Sequence, residues 1–268
     1  MRFREKNLGV ISDKKKAFLQ ISINPEDRDF LRFFWWSDYE KKKMKMYRHR
    51  RLVFGLNCSP FILGAVINNL LHNCPQKYRD VAEILEKSFY VDNCVTSVDT
   101  VRELSHFVTG ATELMQLGNF ELRSWESTTS DAELEPSQVL GLLWDRNEDA
   151  LFCDSDQFNS SCESFTRRNV LAPIQKVFDP IGFTCPVTII PKLLLQETWK
   201  KKLSWDERLP EEAEKKFIKW LSDLTKLKTI RIPLCVIPLG YRQSFSLHTF
   251  CDASGSSYAC VIYLRSEG

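Results

Sequence analysis

Short apolar segments, alternating or rich in β-branched and aromatic residues, recur along the first part of the chain and are typical of strands. A polar segment at 37–43 and the pair Asp92-Asn93 are expected to form turns, so the segments on either side of each should lie antiparallel. The predicted strands are 17–23 with 29–36 as its partner, 46–54, the two arms of a hairpin around Asp92-Asn93, 120–125, 138–144 and a terminal hairpin within 245–264.

Other segments repeat apolar residues at helical spacing. Ser59-Pro60 should start the first of these helices, with a cap and with proline at the first helical position. Thr100 and Glu103 form a predicted capping box. The predicted helices begin at Ser59 and span 78–87, 100–117, 166–178, 187–202 and 210–227.

These elements predict α+β order at 1–145, helices at 146–240 and the first hairpin of a further sheet at 241–268. Residues 154–164 are polar and rich in serine, as in a linker or a surface loop. A hairpin alone is at best marginally stable, so we expect the chain to be a fragment of a longer protein.

Composition narrows the class of protein. The chain is 43% hydrophobic and 27% charged with a net charge of +2, so a nucleic-acid partner would have to be indicated by local clustering of charge. Its nine cysteines form no C-x-x-C pair, which argues against zinc and indicates free thiols in a reducing compartment. The start lacks an apolar secretory segment, and no run approaches the roughly 18 apolar residues that span a bilayer. We therefore expect an intracellular, cytoplasmic protein.

Two acidic residues stand where chemistry could occur. Asp13 is predicted at the mouth of the first strand and Asp92 at the turn of F-Y-V-D-N-C-V-T-S (89–97). Two carboxylates brought together from separate strand ends can hold a pair of divalent cations for in-line phosphoryl transfer. Gly55, just before a predicted helix start, would allow close approach of the backbone to a ligand.

In their order along the chain, these segments resemble the palm of a reverse transcriptase, and more narrowly the Bel/Pao class of retrotransposon polyproteins. Five motifs support the palm: D-K-K-K-A-F-L-Q-I (13–21), F-G-L-N-C-S-P-F (54–61), Y-V-D-N (90–93), G-N-F-E-L-R-S-W (118–125) and V-L-G-L-L-W (139–144). Three others resemble Bel/Pao segments or the first strand of a tethered ribonuclease H: V-F-D-P-I-G-F-T-C-P-V-T (177–188), L-S-W-D-E-R-L-P (203–210) and F-C-D-A-S (250–254).

The resemblance implies an α+β palm with a ferredoxin-like sheet at 1–145, a helical thumb and connection region at 146–240 and a truncated ribonuclease H-like β-hairpin at 241–268. The parental activity would be RNA-directed DNA synthesis with two Mg²⁺ ions. Its partners would be an RNA/DNA template-primer, deoxynucleotides and the rest of the Pol polyprotein, namely fingers, ribonuclease H and integrase. Only twelve residues precede Asp13, so we expect most of the fingers to be missing.

The resemblance also assigns roles to individual residues. Asp13, Asp92 and the backbone carbonyl of Lys14 would bind metal, and Phe18 would be the steric gate that excludes a ribose 2′-hydroxyl. The other implied contacts are Phe54, Gly55, Tyr90 and Val91 for the nucleotide and primer end, Gly141, Leu142 and Trp144 for the primer grip, and Asp252 for a ribonuclease H site.

Asn93 departs from the family pattern, which usually has a third acid at this position. A neutral amide removes one negative charge facing the metal ions, and a unit charge pair about 4 Å apart is worth roughly 4 kcal/mol at an effective dielectric constant near 20. A loss of that size in the transition state would slow the reaction on the order of a thousandfold. Ser124 also replaces a lysine common in the fourth motif. We therefore expect an impaired polymerase.

Three alternatives stay open at this point. The palm could be a non-catalytic, decayed nucleic-acid-binding fold, in which the basic run at 41–51 grips phosphates while Tyr47 stacks on a base. The same run could equally be a solvated hairpin tip. In C-D-A-S-G, Asp252 also loosely resembles the Asp-Ser/Thr-Gly of an aspartic peptidase, but the inserted alanine breaks the short loop that such a site needs.

Overall fold

Residues 2–128, 134–154, 165–236 and 244–267 are described by the structure, a computed structural model, and they divide into two units, Met1–Ser127 and Thr128–Gly268. Strands of the first unit are β1 (Leu8–Lys14), β2 (Arg32–Trp36), β3 (Met44–Arg48), β4 (Phe89–Tyr90), β5 (Asn93–Val98) and β6 (Leu122–Ser127). Its helices are α1 (Ala17–Gln20), α2 (Ser59–His72), α3 (Arg79–Glu86) and α4 (Val101–Leu117).

A four-stranded antiparallel sheet in the order β4-β5-β1-β6 lies at the centre of this unit. Strand β1 pairs with β5 on one side and with β6 on the other. The apolar faces of α2, α3 and α4 pack into one core with β1 and β5. This core includes Val10, Leu63, Leu85, Phe107 and Leu114, all almost fully buried.

The strand predicted at 17–23 is wrong. The strand lies earlier, at Leu8–Lys14, and Ala17–Gln20 form the helical turn α1. A short apolar run does not distinguish a strand from a buried helical turn, and here Ala17 and Phe18 are buried from the helix. The predicted partner of 17–23 is accordingly wrong too. Strand β2 pairs with β3 in a separate two-stranded ribbon, as in Phe33↔Tyr47.

The helices of the first unit agree more closely with the sequence. Helix α4 begins after Thr100, whose Oγ1 accepts from the Glu103 N–H, while the Glu103 carboxylate accepts from the Asp99 N–H. Proline is found in the first turn of α2 as predicted. Ser59 does not cap that helix, because its hydroxyl donates to the Val53 carbonyl at 2.6 Å.

The second unit contains strands β7 (Ser137–Val139), β8 (Leu142–Asp145), β9 (Ala150–Phe152), β10 (Ile232–Pro233), β11 (Ser244–Ala253) and β12 (Tyr258–Glu267). Its helices are α5 (Arg167–Lys176), α6 (Cys185–Lys200) and α7 (Glu211–Leu224). Strands β7 to β10 form one antiparallel sheet in the order β10-β9-β8-β7. A second core includes Val170, Leu194, Phe217 and Trp220.

Two predictions for this unit need comment. The strand predicted at 138–144 is a hairpin, because Leu140 and Gly141 both have positive φ (49° and 83°), as a tight two-residue turn requires. The terminal hairpin is confirmed as β11–β12, which pairs with none of the other described strands. Most of the predicted linker, residues 155–164, lies outside the described residues, and the domain boundaries at 145/146 and 240/241 stay predictions. Among the described residues, no helix is long and apolar enough to cross a membrane.

The packing of α3 against α4 generates a test of the first core. A Cβ on Gly110 would lie 2.8 Å from Val81 Cγ2, and Val81 is itself buried. We expect Gly110→Ala to lower the free energy of unfolding by about 1–3 kcal/mol through overpacking. Combining it with Val81→Ala should recover roughly 0.5 kcal/mol or more relative to the sum of the single changes.

Gly64→Ala in α2 is the matched control, because nothing lies within 4 Å of its added Cβ. It should raise stability by roughly 0.5–1 kcal/mol through helix propensity alone. Urea unfolding followed by circular dichroism measures all four variants. Equal effects of the two alanine substitutions would contradict the close α3–α4 packing.

Candidate active site

The pairing of β1 with β5 brings the two predicted acids to one edge of the sheet. Asp13, near the end of β1, is the direct antiparallel partner of Asn93, the first residue of β5. Asp92 precedes Asn93 in the turn, and its carbonyl accepts from the Lys14 N–H at 3.0 Å. Partners across antiparallel strands have side chains on the same face of the sheet. The structure therefore places Asp13 and Asn93 on one face of the sheet, with Asp92 next to Asn93 in the turn.

The turn between β4 and β5 has an unusual backbone. It consists of Val91 and Asp92, one residue earlier than predicted, and Val91 has φ 54°. A β-branched residue rarely adopts this left-handed conformation, and such strained residues are concentrated at functional sites. Lys14 lies beneath the turn, where burial lowers its pKa to about 8 although the neighbouring Asp92 and Asp13 carboxylates favour the charged form.

Arg123 is a residue of the site that the sequence did not reveal. Its Nε and Nη2 donate to one oxygen of Asp13, Oδ2, at 3.1 and 3.0 Å. The pair depends on an irregularity in the β1–β6 register, where one extra residue in β6 and a positive φ at Ser124 (52°) indicate a β-bulge. Bulges re-aim side chains next to functional sites, and this one leaves Arg123 opposite Asp13.

The charges around the acids determine which metal they could hold. Two carboxylates, Asp13 and Asp92, face two cations, Arg123 and Lys14, and Asn93 contributes an amide without charge. No group of three or more acidic, histidine or cysteine side chains in the described ranges could hold a metal ion. Two-metal sites place ions roughly 4 Å apart, and here two cationic side chains already offset the charge of the two carboxylates. The two carboxylates therefore have little net negative charge left to hold a pair of divalent cations.

The residues predicted for the nucleotide pocket form an aromatic contact. Phe18 is only 2% exposed and belongs to the first core, and the ring of Phe54 meets it edge to face with the ring centroids 4.5 Å apart. Phe54 itself is exposed, as are Tyr90 and Val91 on the hairpin. Gly55 has φ 88°, which favours glycine. The exposed aromatic ring at this position is therefore that of Phe54, and the steric-gate role of Phe18 stays a prediction.

The predicted primer-grip residues belong to the second unit. Gly141 is exposed in the β7–β8 turn, and the Phe178 ring packs so closely that an added Cβ would lie 2.4 Å from it. Leu142 and Trp144 are buried, and the Trp144 Nε1–H donates to Asp149 Oδ1 at 3.2 Å. Any contact of this hairpin with a nucleic acid would therefore be made at the turn and through the backbone.

Asp252 lies on β11, opposite Ala259 of β12. It is exposed, and its Oδ1 accepts from the Ala253 N–H at 2.9 Å. No Asp-x-Gly sequence occurs at Asp252 or elsewhere in the described part of the chain. Its role in a ribonuclease H site stays a prediction.

Every residue of β2 and β3 is exposed, and the ribbon that they form is rich in aromatic and basic side chains. Phe33 stacks on Tyr47, with ring centroids 5.9 Å apart, and on His49, at 4.5 Å. Seven lysines and arginines and no acid occur in residues 41–51. Stacked aromatic rings beside basic side chains are the two elements that bind single-stranded nucleic acid.

Both the sequence and the fold of the chain have known counterparts. Residues 166–268 match the family model described as a Pao retrotransposon-like RNaseH-like domain. The fold of the chain is similar to a foamy viral protease-reverse transcriptase in complex with double-stranded DNA, with a TM-score of 0.62 and 15% sequence identity over 97% of this chain and 41% of that one. A foamy viral protease-reverse transcriptase in complex with an RNA/DNA hybrid gives a TM-score of 0.59 and 14% identity over 97% and 34%. No curated protein matches the sequence.

The predicted resemblance to a Bel/Pao-type Pol fragment is confirmed, with the family match at residues 166–268, and the mixed α/β fold is similar to that of the foamy viral protease-reverse transcriptase. The chain spans well under half the length of the foamy viral chains. The family match begins at residue 166, so its description covers most of the predicted thumb and connection region as well as the terminal hairpin. That description names ribonuclease H rather than a peptidase.

The Arg123–Asp13 contact generates a test of cation binding. Arg123→Gln frees the Asp13 carboxylate and removes a positive charge next to it, so the affinity for Mn²⁺ should rise by about tenfold. Electron paramagnetic resonance of free Mn²⁺ measures the affinity. Lys15→Gln is the control, since Lys15 pairs with exposed Glu121 just beyond the ends of the same two strands. An equal rise in both variants would show that only net charge matters, and no rise in either would argue against a cation site at Asp13.

Proposed function

We propose that this chain, whose residues 166–268 match the Pao retrotransposon family, is part of the Pol polyprotein of a Bel/Pao-type element, and that its first unit is the palm of a reverse transcriptase. The parental activity is RNA-directed DNA polymerisation by nucleotidyl transfer. The ligands would be an RNA/DNA template-primer, deoxynucleotides and Mg²⁺, and the partners the fingers, ribonuclease H and integrase parts of the polyprotein.

One observation supports this proposal above the others: Asp13 and Asp92 lie at adjoining ends of paired strands, one on β1 and one in the β4–β5 turn. A strand places a carboxylate such as that of Asp13 more accurately than a loop does, and the tight two-residue turn keeps Asp92 next to the paired strands, as phosphoryl chemistry requires. A divalent cation held there would neutralise charge that develops on a transferring phosphoryl group. The exposed Phe54 ring and Tyr90 would contact the nucleotide or the primer end beside it.

A second candidate function is nucleic-acid binding without efficient catalysis, and the contacts at the acids favour it for this chain. Asn93 supplies no charge, and Arg123 already occupies one oxygen of Asp13. Both features weaken metal binding without disturbing the strands that form the fold. The chain would then bind a template strand while turning over slowly or not at all.

Primer extension distinguishes the two functions. In the full-length polyprotein, Asn93→Asp should raise Mg²⁺-dependent extension on an RNA template by one to three orders of magnitude, through roughly 1–4 kcal/mol of regained charge stabilisation. Asp92→Asn should abolish extension. The measurement is deoxynucleotide incorporated as Mg²⁺ is varied.

The control for these substitutions is Asn119→Asp, which adds a carboxylate after α4 instead of in the β4–β5 turn. An unchanged rate in Asn93→Asp, with activity lost in Asp92→Asn, would mean that the third acid is dispensable here. Activity that neither substitution changes would exclude a metal site at the turn.

Nucleic-acid binding by the β2–β3 ribbon has its own test. Lys43→Gln with Lys45→Gln should reduce the salt dependence of single-stranded RNA binding by about two phosphate contacts, since each lysine contributes roughly one. Tyr47→Ala should weaken binding by about 1–3 kcal/mol through lost stacking and leave the salt dependence unchanged. Fluorescence anisotropy at several salt concentrations measures both.

Lys215→Gln with Lys216→Gln on the exposed face of α7 controls for loss of two positive charges elsewhere. Equal losses in the two double variants would indicate nonspecific attraction rather than a site on the ribbon. Full affinity in Tyr47→Ala would exclude stacking.

A further inference from the structure

Lys14 is an unusual residue for the interior of a sheet. It is only 2% exposed, although lysine is almost never fully buried without a partner. Its ammonium group donates to the carbonyl of Val91 at 2.7 Å and lies 3.7 Å from the centre of the Phe89 ring. The side chain therefore runs beneath the β4–β5 hairpin and ends at the turn.

Two different groups of Lys14 bond to the same turn. The backbone N–H donates to the Asp92 carbonyl at 3.0 Å, and Nζ donates to the Val91 carbonyl. The carbonyls of both turn residues are thus bound by one residue of the neighbouring strand. This neighbouring strand also contains Asp13, directly before Lys14.

The turn needs such support because its backbone is strained. Val91 has φ 54°, which costs a β-branched residue conformational energy that the surroundings must offset. If Val91 relaxed to an ordinary φ, the peptide group between Val91 and Asp92 would rotate, and its carbonyl would leave Nζ. The same rotation would move the Asp92 carboxylate, since Asp92 follows directly.

We propose that Lys14 is a positioning residue: its side chain holds the strained Val91–Asp92 turn from inside the sheet and thereby sets the place of the Asp92 carboxylate. The value of that placement for phosphoryl chemistry rests on the proposed function. The restraint itself does not, because it follows from the hydrogen bonds of the folded chain. Lys14 thus has a role separate from the metal ligation through its carbonyl that the family resemblance implies.

The test compares Lys14→Met with the unaltered chain. Methionine has a similar length and fills the same apolar space, but it cannot donate to Val91. We expect hydrogen exchange of the residue 14 amide, which bonds to Asp92, to become about tenfold faster, the factor that corresponds to one lost hydrogen bond. Exchange of amides in α4 should change less than twofold, which separates loosening of the turn from loss of global stability.

A second substitution isolates the strain. Glycine adopts positive φ freely, so in a Val91→Gly background the turn should need less support. Lys14→Met should then change the exchange rate of the residue 14 amide by less than twofold. A tenfold effect that persists in the glycine background would show that Lys14 acts independently of the strain at Val91 and would overturn the proposal.

Two further measurements complete the design. Lys15→Met is the control, because Lys15 is adjacent but points to exposed Glu121. In the unaltered chain, the Lys14 side-chain methylenes should show ring-current shifts from Phe89, and the Val91 carbon shifts should report a positive φ, which keeps the proposal testable if Lys14→Met does not fold. Ordinary shifts at either residue would refute it. Neither experiment uses metal or nucleotide, so an inactive polymerase would not affect the result.

Discussion

The register between β1 and β5 is the constraint on which the site depends. Because Asp13 pairs with Asn93, the acid of one strand lies beside the turn of the next, and the same pairing buries β5 against the core. A shift by one residue would move every side chain of a strand to the other face of the sheet. The apolar residues that form the core therefore also fix the place of the acids. Packing and chemistry in this unit are specified by one set of hydrogen bonds.

The second determinant of the site is the balance of charge among its side chains. Two carboxylates on one edge of a sheet repel each other unless cations lie close by, and here Arg123 and Lys14 supply those cations from β6 and β1. Arg123 is half-exposed and can leave Asp13 at modest cost, since exposed ion pairs are worth little. Lys14 is buried and bonded to the turn, so it cannot leave without disturbing the backbone. The Arg123 side chain can therefore be replaced by an ion from solvent, whereas the Lys14 side chain is a fixed part of the fold.

The sequence correctly predicted those elements whose signals lie in neighbouring residues. Thr100 with Glu103 located the start of α4, and the alternation around Asp92 predicted the hairpin. It did not predict α1, because four residues with an apolar face satisfy helical and extended patterns alike. It also missed the contact of Arg123 with Asp13, since 110 positions separate the two residues and a bulge sets the register. The burial of Lys14 was equally hidden, because a run of three lysines suggests a solvated surface.

The contacts around Asn93 show an effect of its neutral amide that the motif alone does not reveal. A third carboxylate there would stand beside Asp92 and opposite Asp13, where only a bound cation could offset the added repulsion. An amide avoids that repulsion, and its Nδ2 lies 3.5 Å from the Asp92 carboxylate, close enough to attract it. The four charged side chains then balance without any metal ion. Catalytic sites commonly keep like charges close together at a cost in stability. In this chain, the neutral Asn93 and the Arg123–Asp13 pair reduce that charge repulsion instead. The two features that weaken metal binding thus also reduce the repulsion between carboxylates at this edge of the sheet.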